Sequence, residues 1–423
     1  MCRKDHCQEG VNPDNALFSG GLRPPTRGRG DLSRPFLEQR KSVMCEVQDD
    51  VKKKGIGTKT VPVTEAVGMV IAHDITEIRP GEFKGRAFKK GHIVRKEDIS
   101  HLQRLGKEHL FILEIKEDDV HENDAALAIA NALAGDGVKM GGEPNEGKIN
   151  LIAARDGLLD INREALLEFN MLGDVMCATV HKNAVVTKGQ IVAGTRSIPL
   201  AVKKHIVESA VKIAEDAGGI LAVKEMIRPN AGIVITGNEV YSGKIKDAFE
   251  AVITSKIKNV NGDIVGVYFA PDDAKQIEHR IRQLISAGAD LIITTGGMSV
   301  DPDDVTRFAI RNLGVEEFIY GSPVLPGSMF LVAYLSAEAR KCGSAEAEDS
   351  HTYGLTSLRT SELIPILGMP ACGMYASITV FDLILPRILA GEKISRKVIA
   401  ALGHGGLCLK CETCRYPVCP FGK

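Results

Sequence analysis

The sequence predicts an α/β fold: a three-layer, parallel-sheet domain over about 229–400, following a mixed α+β lobe over 56–228. Two observations carry this prediction. Beyond Arg228 and Pro229, apolar runs of strand length alternate regularly with amphipathic stretches, the pattern of a parallel sheet covered by helices on both faces. Three of those runs end in glycine-bearing turns, and an open parallel sheet gathers its ligand-binding loops where its strands end. A chain of 423 residues is also long enough for two or three domains with substantial cores.

Taken in order, residues 1–55 are rich in Gly, Pro, Arg and Asp, lack apolar periodicity, and read as a disordered extension. Met44 opens a more ordinary polar leader, so a start at that residue is the alternative account of what precedes it. From Thr58 the pattern becomes compact. Strand-like runs fall at 92–94, 109–115, 175–180 and 191–193, and helices are expected over 124–133, 163–169 and 201–217, the last ending before Gly218 and Gly219. In the second domain, strands are expected over 232–236, 264–270, 291–295 and 364–367, with helices over 245–258, 273–287, 304–312 and 375–389. The helix at 273–287 places Ile277, Ile281, Leu284 and Ile285 on one face, and Pro271 with Asp272 supplies its start signal. A polar stretch at about 336–363 interrupts the alternation; it reads as a surface insertion, with a functional lid as the alternative.

Composition excludes several function classes. A formal charge of −1 exerts no global pull toward nucleic acid or membrane, so any anion must be held by local geometry. The chain has no Trp and only 5% aromatic residues, too few for a base-stacking platform. Its most apolar stretch, 376–390, carries Asp382 and Arg387 and is too short to span a bilayer. No apolar signal segment opens the chain, and a cytoplasmic location is expected. Of the ten cysteines, four fall within 408–419, which suits a reduced compartment with one metal-type cluster better than a disulfide framework.

The three glycine-bearing turns hold the candidate site. The first, TGNEVYSG (236–243), offers Glu239 as an acid between Gly237 and Gly243. The second runs from Thr295 through Gly296 and Gly297 to Asp303 and Asp304. With no Cβ in the way, backbone N–H groups there can approach a phosphate closely. The two carboxylates can hold a magnesium ion bridging that anion, or cap the next helix. The third, GMPACG (368–373), directly precedes a long helix.

Residues 231–391 resemble the molybdopterin-binding domain shared by molybdopterin adenylyltransferases, molybdopterin molybdenumtransferases and the N-terminal part of CinA-type proteins. TGNEVYSG is similar to that family's T-G-D-E-L-x-x-G turn, and TTGGMSVDPDDVT to its T-G-G-x-S/G turn closing in D-(V/L)-T. LPGSM and GMPACGMYAS are similar to its P-G-x-P and G-L-P-G-N-P turns. The resemblance implies a pterin-phosphate pocket lined by Thr236, Gly237, Glu239, Gly243, Thr295, Gly296, Gly297 and Ser299, with Pro326, Gly327, Gly368, Pro370 and Gly373 from the later turns. It implies Asp304 and Glu239 as the acids of the chemistry, with Asp247 in the first helix facing the site. Asn238 stands where the family has aspartate, and Ala371, Cys372 and Gly373 stand where it has G-N-P.

Upstream, VTEAVGMVIAHDI is similar to the opening of molybdenumtransferases, whereas their following N-S-A-M-D-G-Y-A hallmark is replaced by RPGEFKGRAFKKGHIVRKEDI. The function implied is molybdenum cofactor biosynthesis: binding of adenylylated molybdopterin and promotion of molybdate insertion with magnesium. The alternatives are a CinA-type nucleotide pyrophosphatase and a non-catalytic molybdopterin carrier or regulator. Implied partners are molybdopterin, molybdoenzymes and further copies of the chain, with neither nucleic acid nor membrane.

Residues 401–423 form a Cys-rich tail in which Cys408, Cys411, Cys414 and Cys419 follow a C-x2-C-x2-C-x4-C spacing. Four such thiolates suit zinc or an iron–sulfur cluster, and free or redox-active thiols are the alternative. His404 is a spare ligand or a turn residue, and Cys372 either touches ligand or packs at a helix start.

Overall fold

The structure is a computed structural model that describes residues 58–79, 83–113, 117–244, 247–298, 301, 304–336 and 363–423. The expected extension at 1–55, nearly all of the 336–363 insertion, and the candidates Ser299 and Asp303 lie outside the described residues.

The first part of the N-terminal lobe is a small β unit. Thr58–Pro62 pairs antiparallel with His109–Leu113, Ile75–Arg79 pairs with Phe83–Phe88, and the helix Asp98–Arg104 packs Leu102 into a core with Ile71, Ile75, Phe88 and Leu110. The strand expected at 92–94 is reduced to a single bridge between Val70 and Ile93. The second part holds a four-stranded antiparallel sheet in the order Val138–Met140, Lys148–Ala153, Ile191–Ser197, Val175–Thr179. The helices Glu122–Leu133, Arg163–Met171 and Lys204–Asp216 bury Ile129, Leu133, Phe169 and Val207 in its core. The helix expected from 201 begins at Lys204, because Ala201–Lys203 pairs as a strand with Asp119–His121. Tertiary pairing wins there over helix propensity. Lys90 of the first part forms an ion pair with Glu122 of the second, whose side chain is 2% exposed.

The C-terminal domain is built on one six-stranded sheet. Its strands in chain order are β1 (Asn230–Thr236), β2 (Asp263–Ala270), β3 (Leu291–Thr295), β4 (Glu317–Tyr320), β5 (Leu331–Ser336) and β6 (Leu363–Met369). They lie in the order β2-β1-β3-β6-β5-β4. The helices are α1 (Asn238–Tyr241), α2 (Phe249–Asn259), α3 (Ala274–Ser286), α4 (Thr306–Asn312), α5 (Val380–Leu389) and α6 (Arg396–Ala401).

Consecutive residues of a strand face opposite sides of a sheet. Ile233, Ile235, Leu291 and Ile293 accordingly join one core, with Phe249 and Ile253 of α2 and Phe381 and Ile384 of α5. Val234, Ile292 and Ile366 join the other, with Ile277, Ile281 and Leu284 of α3 and Ile310 of α4. Both faces are covered, which is the three-layer α/β architecture the apolar runs predict.

The sheet is mixed rather than wholly parallel. β2, β1, β3 and β6 are parallel, while β5 runs antiparallel to β6 and β4 antiparallel to β5. Neither β4 nor β5 was among the expected strands. Antiparallel neighbours need no crossover helix, so the strand–helix alternation that marks the rest of the domain is absent where they lie.

Helix starts also differ. The helix expected from 304 begins at Thr306, and that expected from 375 begins at Val380, where Thr379 and Asp382 form a capping box after a 3-10 turn at Ala371–Met374. Among the described residues no helix is long and apolar enough to cross a membrane.

Candidate functional site at the strand ends

From β1 the chain passes to β2 on one side and then returns to β3 on the other, so the order reverses between β1 and β3. The crevice beyond such a reversal is where open α/β sheets bind ligands. Ile235 of β1 registers with Thr295 of β3, and Thr295 with Met369 of β6, which brings the three glycine-bearing turns to adjacent strand ends.

At the centre stands Thr236, 4% exposed. Its hydroxyl lies 3.2 Å from the Thr295 carbonyl oxygen and 2.9 Å from the Thr306 hydroxyl. Gly296 (φ +84°) and Gly297 (φ +53°) cross directly over it. A Cβ at Gly296 would stand 2.0 Å from the Thr236 carbonyl oxygen, and one at Gly297 2.4 Å from the Thr306 hydroxyl. The pair is therefore required first by the protein's own packing.

Asp304 follows that turn. Its Oδ2 is buried and has no hydrogen-bond partner among the described residues, and the Thr294 and Thr295 hydroxyls are buried and unpartnered as well. Val305 is the N-cap of α4, and no side chain caps that helix. The capping role open to Asp304 in the sequence is thus not taken up. A buried acceptor left unpaired costs about 1–3 kcal/mol. Asp304 carries that cost in the connection between β3 and α4.

In the first turn, Gly237 (φ +136°) lets the chain bend so that the Glu239 carboxylate folds back, its oxygens 3.1 and 3.3 Å from where a Gly237 Cβ would stand. Glu239 is exposed. Asn238 and Asp272 clasp each other: the Asn238 N–H donates to Asp272 Oδ2 at 3.0 Å, and the Asp272 N–H donates to Asn238 Oδ1 at 3.2 Å. The start of α3 is capped by Asp273, which accepts from the Gln276 N–H at 2.9 Å, so Asp272 serves the turn instead. Asp247 does not lie within a helix facing the site. It precedes α2 and accepts from the N–H groups of Phe249 at 3.0 Å and Glu250 at 2.8 Å, which makes it that helix's cap.

The later glycines divide by role. A Cβ at Gly368 would meet Met298 at 2.3 Å, one at Gly373 would meet Met369 at 2.3 Å, and one at Gly327 would meet Val380 at 2.5 Å, so all three make room for packed side chains. Gly243 (φ +71°) has nothing within 4 Å, so its conformation rather than packing calls for glycine. Pro370 is buried behind the third turn.

Pro326 lines a separate cavity of about 440 Å³ together with Cys372, Tyr375 and the four tail cysteines. The tail is held there by the Cys408 N–H, which donates to the Leu325 carbonyl at 2.8 Å, and by Phe421, 3% exposed. Cys408, Cys411, Cys414 and Cys419 face this cavity without closing on one another. Among the described residues no three His, Cys, Asp or Glu side chains gather as metal ligands. The zinc or iron–sulfur shell that the cysteine spacing suggests is not assembled among the described residues. Burial pushes the Cys372 thiol up.

Sequence reasoning missed Thr306, Asp272, Met298 and Tyr320. Thr306 closes the DDVT motif, which was the one available signal. The Tyr320 hydroxyl donates to the Met298 carbonyl oxygen at 2.6 Å and so steadies the second turn from β4.

Residues 232–390 match the family described as "Probable molybdopterin binding domain", and residues 60–114 match a domain of unknown function (DUF8806). The domain over 232–390 is thus of the molybdopterin-binding type. A CinA-like protein of Mycobacterium avium (strain 104) is 34% identical over 92 residues, 21% of this chain and 21% of that one. A CinA-like protein of Mycobacterium tuberculosis (strain ATCC 25177 / H37Ra) is 32% identical over 96 residues, 22% of each. The matched segment spans about a fifth of the length of these relatives. Among solved structures, the tungsten cofactor synthesizing protein MoaB from Pyrococcus furiosus is 14% identical, covering 39% of this chain and 96% of its own, with a TM-score of 0.28. A molybdenum cofactor biosynthesis protein from the same organism is 14% identical over 84% of this chain and 72% of its own, with a TM-score of 0.22.

Proposed function

We propose that this chain, which carries a molybdopterin-binding-type domain over 232–390, works in molybdenum cofactor biosynthesis by binding adenylylated molybdopterin where β1, β3 and β6 end and promoting molybdate insertion. The observation that carries the reading is the buried, unpartnered Asp304 carboxylate oxygen, two residues before Thr306, whose hydroxyl packs against Gly297. Molybdopterin presents a pterin ring, a dithiolene and a terminal phosphate, so its binder needs backbone donors for the phosphate and a few polar groups for the ring. The turn backbones supply the first, and the unpartnered Thr295 hydroxyl is one of the second.

Magnesium fits this donor set. It takes oxygen ligands and needs only one or two carboxylates, the substrate phosphates and water completing its shell. Asp304 would hold it, with Glu239 as the second acid, and the ion would supply charge neutralisation on the phosphates while a water oxygen bonds to phosphorus, the phosphoanhydride P–O bond breaks and AMP leaves. The chain acts as a cytoplasmic homo-oligomer in this reading, and molybdoenzymes are the recipients of its product.

The test is an assay with adenylylated molybdopterin, molybdate and magnesium, following AMP release by the wild-type chain and by Asp304→Ala. Molybdate-dependent release that the substitution abolishes supports the reading. Pterin retained by the wild-type chain without AMP release would sink the enzyme assignment and leave a carrier.

A second reading, a CinA-type nucleotide pyrophosphatase, is favoured by the CinA-like relatives at 34% identity and by the missing N-S-A-M-D-G-Y-A hallmark. Hydrolysis of a nucleoside diphosphate compound without pterin would select it.

A further inference from the structure

Next to the second turn, α4 and the edge strand β4 border an open cavity of about 590 Å³. Three arginines line it. Arg307 and Arg311 stand one turn apart on α4, and Arg396 opens α6 from the far end of the domain. No carboxylate lines the cavity among the described residues, and none pairs with any of the three guanidinium groups. The acid on the same strand, Glu317, is already held by Lys393 at 3.2 Å.

Each guanidinium is positioned. Arg307 lies 5.0 Å from the Phe308 ring centroid and 5.5 Å from that of Tyr320, with its Nε buried and unpartnered. Arg311 lies 4.5 Å from the Phe318 ring. Arg396 donates through Nη1 to the carbonyl oxygens of Tyr320 at 3.0 Å and Gly321 at 2.8 Å. A guanidinium stacked on a ring keeps its N–H edge available, and that planar fork matches phosphate oxygens. Three uncompensated positive charges around one cavity make an anion the ligand that best offsets them. The volume exceeds what a lone phosphate needs and lies in the range of small-molecule sites. Phe308, 47% exposed, offers an aromatic face at the rim.

We infer that this cavity is an anion site for a phosphate ester carrying a flat ring, with the phosphate on Arg307, Arg311 and Arg396 and the ring against the aromatic wall. The inference does not rest on the function proposed above, since it is argued from the three arginines and the aromatic wall; Tyr320, whose hydroxyl also bonds the second turn, is not varied in the test. Inorganic phosphate shares the recognised group, and the test separates the two sources.

Isothermal titration calorimetry of the full chain would compare AMP, adenosine and inorganic phosphate at two salt concentrations, for the wild type and for Arg311→Ala, Arg396→Ala and Asp304→Ala. AMP should bind more weakly as salt rises, adenosine should bind at least about tenfold more weakly than AMP, and each arginine substitution should weaken AMP by about tenfold both in the wild type and in the Asp304→Ala background, which removes AMP held at the strand ends. Arg311→Lys should keep part of the affinity, which separates ligand contact from misfolding. Phosphate binding as tightly as AMP, with the same arginine dependence, would keep the anion site and overturn the ring assignment. Absence of AMP binding at millimolar concentration, equal affinity for adenosine, loss of binding only in Asp304→Ala, or a change of oligomeric state in Arg311→Ala with AMP affinity intact would each overturn the inference.

Discussion

The hydroxyl of Thr236, at the end of β1, meets the hydroxyl of Thr306, in the first turn of α4, at 2.9 Å in the protein interior. Because Thr236 also lies 3.2 Å from the Thr295 carbonyl oxygen, one buried hydroxyl ties together the two strands flanking the crevice and the helix beyond it. Asp304 stands two residues before Thr306, and this bond should steady the segment that carries its carboxylate. Thr306→Val keeps the side-chain shape and removes the bond. It should lower stability by about 1 kcal/mol in urea unfolding and reduce AMP release by more than it weakens pterin binding. Unchanged turnover would show that the bond does not position Asp304.

The turn glycines should grade by what surrounds them. Gly296→Ala drives a Cβ to 2.0 Å from backbone, and Gly297→Ala drives one to 2.4 Å from a hydroxyl; each should cost about 2–4 kcal/mol. Gly243→Ala, strained only by its positive φ, should cost about 1 kcal/mol. Denaturation midpoints of the three variants check this order, and a Gly296→Ala no worse than Gly243→Ala would contradict the packing described.

Asp304→Asn should separate stability from function. Removing a charge from a buried, unpartnered position should leave stability unchanged or raise it by up to about 1 kcal/mol, while AMP release falls by at least about a hundredfold. A clear drop in thermal midpoint would instead mean that the carboxylate has a structural partner.

Acid sensitivity should appear far from the site, at Asp160. Burial works to raise its carboxyl, but hydrogen bonds from Lys182 and Lys224, with their charges, outweigh it and hold the group at about 2, against an ordinary value of 3.8. The lysines lie 2.8 and 2.6 Å away. A depressed folded-state value means that this stabilisation is complete above about pH 4 and is lost as pH falls toward about 2. After allowance for solvent screening it amounts to about 1 kcal/mol. Asp160→Asn should therefore be less stable than the wild type at pH 7, and the gap should close near pH 2. A gap that persists in acid would point to shape rather than charge.

The sequence by itself determined the repeating part of the fold. The strands found as β1, β2, β3 and β6, and the helices α2 to α5, are recorded in neighbouring residues: Ile233 to Ile235 and Leu291 to Ile293 are continuous apolar runs because both faces of their strands are buried, and Ile277, Ile281 and Leu284 repeat at the helical period. Its glycine-bearing turns were legible in the same way, since a positive φ over a packed neighbour leaves glycine as the residue that fits.

Tertiary structure alone decided the rest. Asn238 clasps Asp272 across 34 residues and Thr236 meets Thr306 across 70, separations over which no local pattern reports a partner. Distance in the chain likewise hid that the tail thiols face a cavity shared with Cys372, while the local question of whether Asp247 or Asp304 caps its helix turned on how the turn before each helix is folded. A carboxylate or thiol looks the same in a sequence whether it caps, packs or stands free. Which of these it does depends on the groups that folding brings within hydrogen-bonding reach.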